Sequence, residues 1–372
     1  MAELPKYTLG LDLGGTTWKI NILEGFSPLI RRTFQIPSLV DDGPQRALEA
    51  LKAGVESALQ ELGLKLSEIE IVGLASPGPA TEDGVLFASG NLRHPKWLNF
   101  ALRAAIEKLF EKPTYYTNDC NAAARGEFST LKSPEHDLLF LAPGTGLGGG
   151  AVIKGRVVGG TSGAAMEIGH LQMPFTTIAN AGIDNVPQCR CGRDYCYESI
   201  VSMHGLAFQL DYALRQIRAS RTKRNQWQRF RKSSVLELSG DILDRAKQLL
   251  PLAGQGDDLA LELFRQQANV LGSLIGELTI VFDQDRVRIG GGLADSPLRF
   301  RQMYLSEVED SMVRRIFKHQ VENLAQKKTK VEFAKLGARA GAIGAALYAI
   351  DLHTHPEIRR RTRRVVRVSH AN

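Results

Sequence analysis

No apolar run in the sequence approaches the roughly 20 residues that a bilayer-spanning helix needs, which excludes an integral helical membrane protein. There is no GxxxxGK(S/T) run, so the chain is not a Walker-type nucleotide binder. Cysteine is scarce, with four in 372 residues, too few for a disulfide framework to carry the fold. The opening MAELPKYTLG has no basic segment leading into an apolar one, so no secretory signal is read and a cytoplasmic home is expected. What is there is an ordinary globular balance, 43% hydrophobic and 23% charged, long enough for two domains or one domain with large insertions.

The net charge of +7 is unevenly spread, because six arginines fall between residues 359 and 367. A second basic stretch, 215–232, includes Trp227 and Phe230. Basic residues with aromatics between them are one signature of nucleic-acid binding. A solvated face and a frayed tail explain both stretches as well, and no helix-turn-helix pattern accompanies either, so nucleic acid is set aside as a partner.

Along the chain, residues 7–13 form a strand that meets Gly14-Gly15-Thr16-Thr17, and 18–23 return as a second strand. Residues 47–62 have helical spacing, with Leu48, Leu51, Val55, Ala58, Leu59 and Leu62 on one face. A strand at 69–75, a helix at 100–110, a strand end at 115–117 and a helix from 122 to 128 follow, which predicts an α/β layer. The pattern then restarts. A strand at 137–142 enters the turn Gly144-Thr145-Gly146, and 151–158 return. This repeat predicts two related domains. Helices dominate up to Val281, a strand at 287–289 runs into Gly290-Gly291-Gly292, and 337–350 reads as a close-packed Ala/Gly helix.

Three constellations carry chemistry. Glycine turns without Cβ atoms let backbone N–H groups form a concave anion site, to which Thr16, Thr17 and Thr145 can add hydroxyls. Asp12, just before the first turn, is placed to hold Mg²⁺ through water, with an Asx turn as the alternative. Asp119, in Asn118-Asp119-Cys120-Asn121, sits where a strand gives way to a helix. It is there either a helix N-cap or a carboxylate able to accept a hydroxyl proton. Cys189-x-Cys191-x4-Cys196 sets three thiols on one short loop, and His170 is the upstream histidine that could complete a four-coordinate zinc site. The alternatives are reduced free thiols and a structural histidine. A zinc there would be structural, fixing His170 and the cysteine loop so that Glu167 and Glu198 face a common site.

Taken together, these residues resemble the ROK family of sugar kinases and related repressors, over residues 7–350. The resemblance rests on Leu11-Asp12-Leu13-Gly14-Gly15-Thr16, Ser76-Pro77-Gly78-Pro79, and Gly90-Asn91-Leu92 with Trp97 following. It rests also on Asn118-Asp119-x-Asn121, Gly144-Thr145-Gly146-x-Gly148-Gly149-Gly150 and Glu167-x-Gly169-His170. Cys189-x-Cys191-Gly192-x3-Cys196-x-Glu198 and Gly290-Gly291-Gly292 complete it. Three departures stand out. Thr17 replaces the family's frequent Lys, with Lys19 two places on; Tyr195 replaces its Gly; and the spacing from His170 to Cys189 is longer, which suggests an inserted loop at 176–188.

The resemblance implies an α/β, two-domain actin-like ATPase (ribonuclease H-like) fold with an interdomain cleft. The expected parts are a small domain at 1–117 completed by the helix at about 337–352, a large domain at 118–336 with the zinc loop 170–196, and a basic tail at 353–372. It implies that Asp119 is the general base and that Asn91, Asn118, Glu167, His170 and Glu198 bind the sugar. Asp12, Gly14, Gly15, Thr16, Thr17, Gly144, Thr145, Gly146, Gly291 and Gly292 would serve ATP and Mg²⁺, and His170, Cys189, Cys191 and Cys196 would hold structural Zn²⁺. A homodimer is the family's habit. Glucose is the default acceptor, with an N-acetylated hexosamine or fructose as alternatives. A sugar-responsive regulator and a polyphosphate-using glucokinase are the rival readings.

Overall fold

The computed structural model describes residues 3–30, 32–87, 92–133, 136–160, 163–219, 226–316 and 329–356. Asn91, the arginine tail and part of the 215–232 stretch lie outside the described residues. The chain forms two compact units. One comprises Met1–His136, Gly150–Met166 and Lys335–Asn372; the other comprises Asp137–Gly149 and Glu167–Ala334.

The first sheet is built from β1 (Tyr7–Leu13), β2 (Thr17–Glu24), β3 (Ser27–Pro28), β4 (Phe34–Pro37), β5 (Ile69–Ser76) and β6 (Thr114–Asn118). Its order is β3-β2-β1-β5-β6, with β4 also paired to β2. β1 is antiparallel to β2 and parallel to β5, and β5 is parallel to β6. β1 and β5 are buried along almost their whole length, as expected of central strands covered on both faces.

Helix α1 (Pro44–Glu61) starts with Pro at its first turn and ends before Gly63 at φ 68°, the usual placement of these two residues. It buries Leu51, Val55 and Leu59 in the core that also holds Trp18, Ile20 and Trp97. Helices α2 (Leu102–Phe110) and α3 (Asp119–Phe128) follow.

The second sheet is built from β7 (Leu138–Pro143), β8 (Leu147–Ile153), β9 (Arg156–Val157), β10 (Arg286–Ile289) and β11 (Lys330–Phe333). Its order, β11-β10-β7-β8-β9, is the order of the first sheet repeated strand for strand, so the architectural repeat expected from the two glycine turns is real. The returning strand differs from expectation. It starts at Leu147 and hairpins at Lys154-Gly155, both with positive φ, so 151–158 is two strands and not one.

Between β9 and β10 lie α4 (Phe175–Asn180), α5 (Glu198–Val201), α6 (Met203–Ala219), α7 (Ile242–Lys247), α8 (Leu249–Gln255) and α9 (Asp258–Phe282). After β10 come α10 (Leu298–Val313) and, beyond β11, α11 (Ala340–Thr354).

The compact units part from the boundaries read from sequence. Helix α3 was expected to open the large domain, yet it belongs to the first unit. The reason is its packing against α11, where a Cβ on Gly344 would meet the Ala122 carbonyl oxygen at 1.7 Å and one on Gly126 would meet that of Ala340 at 2.4 Å. Two Ala/Gly surfaces thus bring the helix backbones together. Arg125 adds a bidentate ion pair to Asp351, at 2.6 and 3.0 Å.

Candidate active site

In the first unit, the hairpin β1–β2 closes with the Gly14 N–H donating to the Thr17 carbonyl at 2.9 Å. Thr16 is exposed, and the glycines and Thr17 are half-buried. The pairing register sets Asp12 opposite Lys19, and the Lys19 ammonium lies 3.0 Å from the buried Asp12 carboxylate. This ion pair, not an Asx turn, is what the structure records at Asp12. It was legible in principle, because a two-residue hairpin loop at 15–16 fixes residue 12 across from 19.

At the end of β6, Asn118 is the N-cap of α3, accepting from the amides of Cys120 at 2.9 Å and Asn121 at 3.4 Å. Asp119 is therefore the first helical residue. Its half-buried carboxylate also accepts from the Cys120 amide, at 2.7 Å, at the positive end of the helix. The capping role that Asp119 could have taken belongs mainly to its neighbour. Nearby, the Tyr116 phenol shares a hydrogen bond with Ser76 at 3.0 Å. Burial first, and the Asp119 charge besides, push that phenol up to about 12.

The second unit carries the other turn and the thiols. The Gly144 N–H donates to the Gly146 carbonyl at 2.9 Å, leaving Gly144 and Thr145 exposed. The loop 189–196 is fastened to 171–173 by main-chain bonds: Met173 N–H to the Tyr195 carbonyl at 2.7 Å, and Tyr197 N–H to the Leu171 carbonyl at 3.1 Å. This brings His170, Cys189, Cys191 and Cys196 together with ligand atoms all within 4.8 Å of one another. Cys189 Sγ is 3.7 Å from His170 Nδ1, and Cys191 Sγ is 3.7 Å from Cys196 Sγ.

A tetrahedral zinc with Zn–S bonds of about 2.3 Å sets its sulfurs about 3.8 Å apart, so these four residues fit the ion in number, chemistry and spacing. Burial and the neighbouring sulfurs push the Cys196 thiol up to about 12, whereas at Cys191 burial is outweighed by hydrogen bonds from the Arg193 backbone and the other two cysteines, and that thiol is lowered.

Glu198, the first residue of α5, turns one carboxylate oxygen to the Leu147 amide at 2.8 Å, and its other oxygen lies 3.8 Å from Cys189 Sγ. Glu167 is exposed and His170 half-buried. The third glycine run has packing reasons of its own: a Cβ on Gly290 would strike the Phe140 ring at 2.5 Å, and one on Gly291, at φ 77°, the Pro143 carbonyl at 2.3 Å. Gly292 is exposed, and a Cβ there would meet nothing within 4 Å.

The expected inserted loop is anchored inward. Thr177 of α4 bonds Ser273 of α9 at 2.7 Å, and Gln209 of α6 donates to the Asn185 carbonyl at 2.9 Å. Trp227 and Phe230 of the basic stretch are buried and packed on each other, so they are not surface stacking platforms for bases.

The architecture is the actin-like ATPase fold found in ROK sugar kinases. Solved structures of the same fold include a ROK hexokinase from Thermus thermophilus, 28% identical, covering 95% of this chain and 99% of its own, with TM-score 0.69. A ROK family glucokinase from Streptomyces griseus, in complex with glucose and AMPPNP, is 25% identical with TM-score 0.67, covering 92% of this chain and 99% of its own. An N-acetylmannosamine kinase from Escherichia coli is 31% identical over 302 residues, 81% of this chain and 88% of the relative. The ROK family pattern matches residues 8–351, and the chain belongs to the ROK family.

Proposed function

We propose that the chain is an ATP-dependent sugar kinase that phosphorylates a hexose hydroxyl with Asp119 as general base. The observation that carries this reading is local: Asn118 takes up the capping of α3 and leaves the Asp119 carboxylate at a strand-to-helix junction, half-buried, at the first helical position. A carboxylate there can accept the proton of an attacking hydroxyl, which phosphoryl transfer requires. The sugar oxygen, O6 in a hexose, gives its proton to Asp119 and its electron pair to the γ-phosphorus, and the bond to the ADP oxygen breaks in line.

Asn118, Glu167, His170 and Glu198 hydrogen-bond the other sugar hydroxyls, and Asn91 is assigned the same role from sequence. The threonines of the turns at 14–17 and 144–146, and the backbone amides there other than those of Gly14 and Gly144, which close the turns, hold the donor's phosphates, with Gly291 and Gly292 on the nucleotide side. Asp12 would hold Mg²⁺ through water, and the cation would neutralise phosphate charge; Lys19 already shares that carboxylate. A zinc on His170, Cys189, Cys191 and Cys196 would supply structural rigidity only. With Nδ1 facing the sulfurs, the His170 ring keeps Nε2 for the sugar. We further propose a cytoplasmic homodimer.

Glucose is the acceptor expected from sequence. N-acetylmannosamine stands beside it because the 31%-identical relatives carry that name. One panel of hexoses with Mg·ATP, and with polyphosphate as alternative donor, separates these substrates. Asp119→Asn should lower kcat about 10²- to 10⁴-fold while sugar affinity stays within a few fold. Unchanged turnover would remove Asp119 from the reaction.

A further inference from the structure

Glu198 sits at the meeting point of the thiol loop and the second glycine turn. One of its oxygens accepts the Leu147 N–H, at 2.8 Å, the amide that ends the turn. A Cβ on Gly146 would lie 2.5 Å from that same oxygen, so glycine at 146 is what allows the carboxylate to reach the turn. Two further contacts hold the turn. Met203 N–H, at the start of α6, donates to the Gly144 carbonyl at 2.8 Å. A Cβ on Gly169, beside His170, would meet the Leu147 carbonyl at 2.4 Å, so the two backbones there are nearly touching.

From this geometry we propose that Glu198 is a positioning residue for the donor's phosphate turn as well as a sugar ligand. The proposal rests on the kinase reading and deepens it. A buried amide held by a carboxylate is oriented more tightly than one held by water, and a hydrogen bond to a charged acceptor is among the stronger ones a protein makes. The amides of Thr145 and Gly146, between the Gly144 N–H that closes the turn and the Leu147 N–H held by Glu198, take their direction from that anchor. Glu198 joins the site for the sugar to the site for the phosphates through one carboxylate. A sugar hydroxyl that engages Glu198 therefore acts on the turn, and phosphate seated on the turn acts on Glu198. The coupling is reciprocal because both ligands bias the same side chain.

Crossed binding measurements on the zinc-loaded protein test this, with calorimetry of ADP in the absence of sugar and of glucose and N-acetylmannosamine in the absence of nucleotide. Glu198→Ala should weaken ADP about 5- to 30-fold with no sugar present. Glu198→Gln keeps a carbonyl acceptor for the Leu147 amide and should bind ADP within about threefold of the parent. Gly146→Ala, a change in the phosphate turn, should weaken the sugar about 5-fold or more by displacing the carboxylate.

Each change crossing over to the other ligand, with zinc content intact, supports the proposal. Glu198→Ala binding ADP like the parent, or Gly146→Ala leaving sugar affinity untouched, overturns it even where one of the two variants fails to fold. A parent protein that binds neither ADP nor any hexose overturns the kinase reading, and this proposal with it.

Discussion

Residue 195 has a backbone φ of 60°, in the left-handed region that costs a non-glycine residue about 1–2 kcal/mol. Tyr stands there in place of the Gly that the family resemblance gives. Its ring meets Phe175 edge-on at 5.3 Å, a contact that offsets about 0.5–1.5 kcal/mol of that cost. Tyr195 thereby ties the thiol loop to α4.

Buried phenols set an alkaline limit at the same scale. Burial raises Tyr116 and Tyr348 from 10 to about 12 in the folded state. The unfolded chain loses these protons first, so the stability they represent is whole below pH 10 and falls as pH rises toward 12. Phenolate absorbance followed against pH should show that loss, and Tyr116→Phe should make unfolding less steep across the window; an identical profile in that variant would contradict it.

Which side chain caps α3 could not be read from the sequence, because Asn118 and Asp119 are equally able caps and only the backbone decides. The cysteine cluster could be read, because its spacing is local and its chemistry narrow.

Among the elements, β1, β2, β5 and α1 were legible because their apolar periodicity is long and the glycine turn punctuates it. Strands β4 and β11 were not. Each has four residues, and pairing with a distant strand, not local pattern, makes them strands. The Ala/Gly composition of α11 announced close packing, yet its partner α3 could not be named from sequence. Gly344→Val at that crossing drives a side chain into the Ala122 carbonyl. It should cost about 2 kcal/mol or more and lower the thermal midpoint by several degrees. Calorimetry checks this, and a midpoint unchanged within error would mean the helices stand further apart.

For the molecule as a whole, a repeated strand–turn–strand unit could be expected from the two glycine turns, and the two sheets carry it in matching strand orders. The unit boundaries could not, since they follow helix packing and not chain order. Metal content is a whole-molecule property because the loop that would bind it is fastened to 171–173 and to Glu198. Protein prepared with zinc should carry about one ion per chain, and Cys191→Ser should lose it with a lowered thermal midpoint. Full zinc occupancy in that variant would refute the four-ligand assignment.

Helix α11 lies on β1, β2, β5 and β6, with the Ala342 and Ala345 carbonyls pressed so near Gly10 and Gly73 that a methyl group at either glycine would fall within about 2.1 Å of them. The strands at Tyr7–Leu13 and Ile69–Ser76 therefore leave a ribosome long before the helix at Ala340–Thr354 that covers this flank. Until that helix emerges the flank is open to misassociation, and a nascent chain stalled short of residue 340 should be a better chaperone client than one that carries the helix.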